Sequence, residues 1–100
     1  MKLAIFCSGG FSSSLAGKNI EKGYQNKGKS DVEVEAYDFA MIDDVDTDVS
    51  GIILAPQISW AEDQVRNEYP DKKVVVLTMT EFGRMNGDVI VERLISEGLE

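Results

Sequence analysis

At 100 residues, with 43% apolar and 28% charged side chains, the chain has the size and composition of one globular domain, residues 1–100, whose core needs no metal or disulfide staple. It contains one cysteine, Cys7, and no histidine, which excludes an internal disulfide and an internal phosphohistidine and argues against a zinc site. A net charge of −8 argues against nucleic-acid binding through phosphates, and no apolar run approaches the ~18 residues of a membrane span.

Leu3-Ala4-Ile5-Phe6 is a short apolar run that predicts a first strand, and Ser8-Gly9-Gly10 breaks it. From Ser12 to about Asn26 the pattern is helical: Ala16, Ile20 and Tyr24 recur on one face, while Lys18, Glu21 and Lys22 can face water, and Gly28 is the stop signal. Over Asp31–Tyr37, Val32, Val34 and Ala36 alternate with Glu33 and Glu35, as in a strand with one wet side. Ile52–Ala55 has no alternation and reads as a strand covered on both faces, ended by Pro56. Ile58, Ala61, Val65 and Tyr69 predict a helix over Ser59–Tyr69, Val74–Leu77 a fourth strand, and Phe82–Gly87 a loop. Ile90, Val91, Leu94, Ile95 and Leu99 form the apolar side of a last helix.

Strands alternating with helices favour an α/β fold with a parallel sheet and right-handed crossovers. In such sheets the site lies outside the C-terminal ends of the strands. Cys7, Pro56-Gln57 and the segment from Thr78 onward are all expected at that rim. Charge is unevenly spread: residues 1–30 carry five lysines and one glutamate, whereas residues 31–50 carry eight acidic residues and no basic one. Such asymmetry suits different partners on different surfaces, although a solvated acidic face is the commoner reason for it.

Cys7 opens the segment Ser8-Gly9-Gly10-Phe11-Ser12-Ser13-Ser14, between the first strand and the first helix. Glycines there permit an anion-binding nest of N–H groups, and the first turn of the helix adds free donors and the positive end of its dipole. A cysteine at the rim of that cradle is favoured as a thiolate, which suits nucleophilic capture of a phosphoryl group. A lone cysteine after an apolar strand is more often buried and inert; the adjoining Gly/Ser cradle reverses that preference. The glycine spacings of the dinucleotide fingerprint and of the nucleotide-binding P-loop are absent, as is a Cys-x-x-Cys redox pair.

Taken together, Phe6-Cys7-Ser8-x-Gly10-x-Ser12-x-Ser14-Leu15, Leu54-Ala55-Pro56-Gln57 and Gly83-x-Met85-Asn86-Gly87 resemble the IIB component of the lactose/cellobiose (diacetylchitobiose) family of the bacterial phosphoenolpyruvate-dependent sugar phosphotransferase system. The likeness covers nearly all of residues 1–100. It implies a three-layer sandwich whose parallel four-stranded sheet has the order 2-1-3-4, with a phosphatase-like phosphate loop. It implies that Cys7 accepts phosphate from a phosphohistidine of IIA and donates it to a sugar, cellobiose or a related β-disaccharide, held by the membrane-embedded permease IIC. Ser8, Gly9, Gly10, Phe11, Ser12, Ser13 and Ser14 would bind the phosphate, with Gln57, Trp60 and Phe82 as rim or partner contacts. No nucleotide or metal cofactor is required, and the implied place is the cytoplasm, with transient attachment to the inner membrane face through IIC. Relatives often have arginine and tyrosine near Ser59 and Trp60, and tyrosine where Phe82 stands.

Two alternatives remain at this point. A phosphatase-like or arsenate-reductase-like enzyme would also use Cys7, but its loop needs arginine six residues on, where this chain has Ser13, and no carboxylic acid is evident beside the loop. A regulatory module would use phospho-Cys7 to alter a protein interface without feeding transport.

Overall fold

The computed structural model describes residues 1–8 and 11–100, the side chains of residues 11–13 excepted. In chain order it holds β1 (Lys2–Cys7), α1 (Phe11–Asn26), β2 (Glu33–Asp38), a 3-10 segment (Phe39–Asp44), β3 (Val49–Leu54), a second 3-10 segment (Pro56–Ala61), α2 (Glu62–Glu68), β4 (Lys73–Val76), α3 (Met79–Arg84) and α4 (Gly87–Ser96). The four strands form one sheet of order β2-β1-β3-β4, and every pairing is parallel. Order and direction are those that the family resemblance implied.

Two helical layers cover the sheet. A Cβ placed on Gly17 of α1 would touch Val34 and Ile5, and one placed on Gly51 of β3 would meet Leu99 and Leu3. The face carrying Leu3, Ile5 and Val34 therefore lies under α1 and the C-terminal segment, and α4 packs along α1. On the other face Phe6 stacks on Tyr37 at 5.5 Å between ring centroids, and Met41 and Val45 of the first 3-10 region close over them. Tyr69 at the end of α2 donates its hydroxyl to the Ile42 carbonyl at 2.6 Å, joining α2 to that layer. Chain connections thus run over one face from β1 to β2 and over the opposite face from β2 onward, as right-handed crossovers require when the strand order reverses at β1.

Central strands β1 and β3 are buried almost throughout, which is why their sequences lack alternation. Edge strand β2 keeps Glu33 and Glu35 exposed. Gly28, with φ +79°, closes α1 as Lys29 N–H returns to the Tyr24 carbonyl at 2.9 Å.

Three expected boundaries need correction. The helix expected over Ser59–Tyr69 starts within a 3-10 segment, Pro56–Ala61, and continues as α2, which stops at Glu68 because Tyr69 leaves helical geometry at φ −126°, ψ 66°. The expected loop Phe82–Gly87 overlaps α3, which a capping box starts: the Thr78 hydroxyl accepts from Glu81 N–H at 3.1 Å, and the Glu81 carboxylate from Thr78 N–H at 2.8 Å. Leu99 lies beyond α4, yet it is buried after a turn at Gly98, whose φ is +99°.

Candidate functional site

Register places the site. Phe6 is level with Leu54 and Leu54 with Val76, and the next residues continue the ladder: Ala55 N–H donates to the Phe6 carbonyl and Leu77 N–H to the Leu54 carbonyl, each at 3.0 Å. Cys7, Ala55 and Leu77 therefore end their strands side by side. The expected meeting of Cys7, Pro56-Gln57 and the segment from Thr78 at one rim is present. Since the chain leaves β1 toward β2 over one face and β3 toward β4 over the other, Cys7 stands at the switch point, where open α/β sheets form their ligand crevice.

Cys7 is 5% exposed, and among the described residues its thiol makes a long contact, Sγ to the Ser8 carbonyl at 3.7 Å. The segment that follows is Ser8–Ser14. Within that segment Gly9 and Gly10 lie outside the described residues, as do the side chains of Phe11, Ser12 and Ser13. Ser8 and Ser14 are exposed, and α1 begins at Phe11 with no acidic residue in its first turn. The positive end of the dipole of this 16-residue helix is thus left unneutralised just beyond the cysteine.

On the neighbouring strand β2 one acidic residue is level with the cysteine. Asp38 is the register partner of Cys7 on β2. Its side chain accepts from Ala40 N–H at 2.9 Å and caps the first 3-10 segment, so it is committed to holding that chain exit. Nothing local in the sequence ties residue 38 to residue 7; only strand register does.

Ala55 adopts φ −67°, ψ 153°, which a methyl group tolerates without strain. Gln57 is exposed, and Trp60 is 69% exposed, set edge-on against Phe39 at 5.4 Å between centroids. Phe82 is different: at 5% exposure its ring belongs to the core beneath α3, which corrects its placement as a rim contact.

The segment after β4 is held firmly. Arg93 of α4 pairs with the Glu81 carboxylate at 2.7 Å and donates to the Val76 carbonyl at 3.2 Å. Burial opposes ionisation of Glu81, but the Thr78 amide and the Arg93 guanidinium outweigh it and hold the carboxyl below its ordinary value. Met85 takes the left-handed conformation at φ 53°, and its carbonyl accepts from Asn19 of α1 at 2.9 Å. Asn86 caps α4, its side chain accepting from the Asp88 and Val89 N–H groups. Gly87 is required by close approach, since any Cβ there would strike the Asn19 backbone. Among the described residues no three His, Cys, Asp or Glu side chains group as a metal site would need. Among the described residues this rim offers a buried cysteine at a strand end with the N-terminus of α1 just beyond it; capture of an anionic group is the chemistry that suits them.

A family model described as the lactose/cellobiose-specific IIB subunit of the PTS system matches residues 2–93. No curated protein sequence matches the chain. Among solved structures, the lactose-specific IIB component domain of the phosphoenolpyruvate:carbohydrate phosphotransferase system from Streptococcus pneumoniae superposes with a TM-score of 0.86 at 16% identity, covering 98% of this chain and 97% of that one. The cellobiose-specific phosphotransferase IIB component from Borrelia burgdorferi gives a TM-score of 0.72 at 22% identity, covering 97% and 90%. At those identities the two structures establish the shared fold.

Proposed function

The chain belongs to the lactose/cellobiose-specific IIB family of the sugar phosphotransferase system and is a phosphoryl carrier of that type, and from this premise we propose that Cys7 is the phosphoryl acceptor. One observation carries the assignment: the only cysteine of the chain ends β1 at the switch point, one short segment before the N-terminus of α1. In this reading residues 8–10 and the first turn of α1, Phe11–Ser14, together form a phosphatase-like phosphate site. Backbone N–H groups supply most of its electrostatic stabilisation, because Ser13 stands where a phosphatase would place arginine. Lacking that clamp, the thiophosphate is held but not driven toward water.

The reaction has two in-line displacements. Thiolate Sγ attacks the phosphorus of phosphohistidine on IIA; the P–N bond breaks as the S–P bond forms, and the imidazole leaves. A sugar hydroxyl at the permease IIC then attacks the same phosphorus, the S–P bond breaks, and the thiolate is regenerated. The hydroxyl proton goes to a base outside this chain, which has no histidine. Donor and acceptor need the same sulfur, so the two partners occupy it in turn. Gln57 and Trp60, exposed beside the rim, are the contacts we assign to partners.

No described helix is long and apolar enough to cross a membrane, and the protein acts here as a cytoplasmic component attached transiently through IIC. The sugar is cellobiose or a related β-disaccharide. Reconstitution with IIA, IIC and a panel of disaccharides tests the whole reading. Phosphate should reach one of these sugars through Cys7. Labelling of Cys7 that no permease–sugar pair discharges would favour a regulatory role, in which phosphocysteine alters an interface.

A further inference from the structure

The layer formed by the two 3-10 segments and α2 has a chemistry unlike the rest of the surface. Its elements carry Asp43, Asp44, Glu62, Asp63 and Glu68 against one basic residue, Arg66. Glu35, Asp46 and Asp48 share Lys2 at 3.6–3.9 Å, and Glu62 pairs with Arg66 at 2.9 Å. Among the described residues no lysine or arginine lies within salt-bridge distance of Asp38, Asp43, Asp44 or Asp63, all of them exposed. Asp43 instead meets the carboxyl of Glu68, and their side-chain hydrogen bond, followed by burial and the like charge, pushes the Glu68 carboxyl up from its ordinary value.

At the end of this layer nearest Cys7 stands an aromatic pair. Phe39 follows Asp38, the register partner of Cys7, and Trp60 follows β3; their rings meet at 5.4 Å, with Trp60 69% exposed. An exposed tryptophan braced by a second ring has the chemistry of a binding anchor, and the surrounding carboxylates select what can approach it. Helix α1, which follows the Cys7 segment, instead exposes Lys18 and Lys22.

We propose that the acidic layer around Phe39 and Trp60 is the docking surface for a lysine- and arginine-rich cytoplasmic loop of the membrane permease. The inference rests on the carrier reading and deepens it by assigning one flank of the shared rim to one partner. Cytoplasmic loops of membrane proteins carry an excess of lysine and arginine, the charge complementary to this layer. The inner leaflet is itself anionic and repels it, so the complementary partner is the protein loop and not the lipid. A basic loop seated on Trp60 brings the permease to the rim where Cys7 ends its strand.

The test is the double variant Asp43→Lys/Asp63→Lys, with Trp60→Ala beside it. Asp43→Lys replaces a like-charge contact with an ion pair to Glu68, and Asp63 is an exposed residue of the first turn of α2, so the fold is kept; thermal unfolding verifies that. Two rates are read for each protein: labelling by phosphorylated IIA in solution, and discharge to sugar by permease in proteoliposomes. For the double variant we expect KM for the phosphorylated carrier at the permease to rise about tenfold or more and to lose its salt dependence, with labelling by IIA unchanged within about twofold. Trp60→Ala should also raise the permease KM. Unchanged discharge would overturn the proposal. Impaired labelling by IIA with normal discharge, or equal loss of both in a folded variant, would overturn it too, by giving the layer to IIA or to both partners. Trp60-dependent binding to protein-free anionic vesicles would make lipid the occupant and refute it likewise. Failure of the parent protein to be labelled or discharged at all would instead refute the carrier reading beneath it.

Discussion

Replacing Gly23 by alanine should destabilise the protein even though it improves the helix that contains it. Gly23 lies inside α1 where α4 crosses, and an ideal Cβ there would sit 2.6 Å from the Gly87 carbonyl oxygen and 2.8 Å from Val91 Cγ2. Alanine in place of glycine in a helix interior favours folding by about 1 kcal/mol. Overpacking costs about 1–3 kcal/mol, and an obstructing backbone carbonyl cannot rotate aside as a side chain would, so the upper figure applies. The expected result is a net loss of about 2 kcal/mol, a fall of roughly 8–16 °C in Tm for a domain of this size. Gly17 in the same helix supplies the internal comparison. Its Cβ would find Val34 Cγ1 at 3.5 Å and Ile5 Cγ2 at 3.7 Å, ordinary contacts. Gly17→Ala should therefore stabilise by about 0.5–1 kcal/mol. Urea unfolding of the three proteins, with m unchanged, reads the differences directly. A Gly23→Ala protein as stable as its parent would refute the close backbone approach of α1 and α4, and with it the way α1 is seated behind the Cys7 segment.

Glu81→Gln should cost roughly 1–2 kcal/mol at neutral pH, the scale of a charge-assisted hydrogen bond, because Arg93 loses the nearer of its two carboxylates and keeps only Glu97 at 3.2 Å. The depressed Glu81 carboxyl stabilises the fold above its unfolded value of about 4.3 and loses that contribution as pH falls through its lower folded value. The difference between parent and variant should accordingly shrink between neutral pH and pH ~3 in urea midpoints; a constant difference would contradict the ion pair. Tyr24→Phe should cost about 1 kcal/mol, since the buried Tyr24 hydroxyl donates to the Leu99 carbonyl at 2.8 Å and ties the C-terminus to α1. Burial, aided by Glu100, pushes the Tyr24 phenol up to about 12, so the parent loses stability as pH rises from about 10 toward 12 and the variant lacks that alkaline loss. Phenolate absorbance should show one late-titrating tyrosine fewer in the variant, where Tyr37 and Tyr69, also raised, still titrate.

What could be read from the sequence followed from burial patterns. Unalternated Leu3–Phe6 and Ile52–Ala55 are the two central strands, and alternating Val34 and Glu35 mark an edge. Cys7 at a strand exit, before a Gly/Ser segment and a helical stripe, was legible for the same reason. Other features depend on contacts that no local pattern encodes. Asp38 reaches the site through register with Cys7, and Gly87 is dictated by the Asn19 backbone. Phe82 and Trp60 are both aromatic residues near the rim, yet packing buries the first and leaves the second in solvent. The start of α3 was visible in principle. Thr78 and Glu81 stand at capping-box spacing, but the six-residue helix that they begin is too short to show an apolar period.

The central claim is that phosphate rests on Cys7, and mass measurement after incubation with phosphorylated IIA tests it most directly. The parent should gain one phosphoryl group, located on Cys7 by fragmentation at neutral pH. Cys7→Ser should fold and gain none, because its hydroxyl is a far weaker nucleophile and this chain has no histidine to activate it. Equal labelling of both proteins would place the acceptor elsewhere and contradict the account.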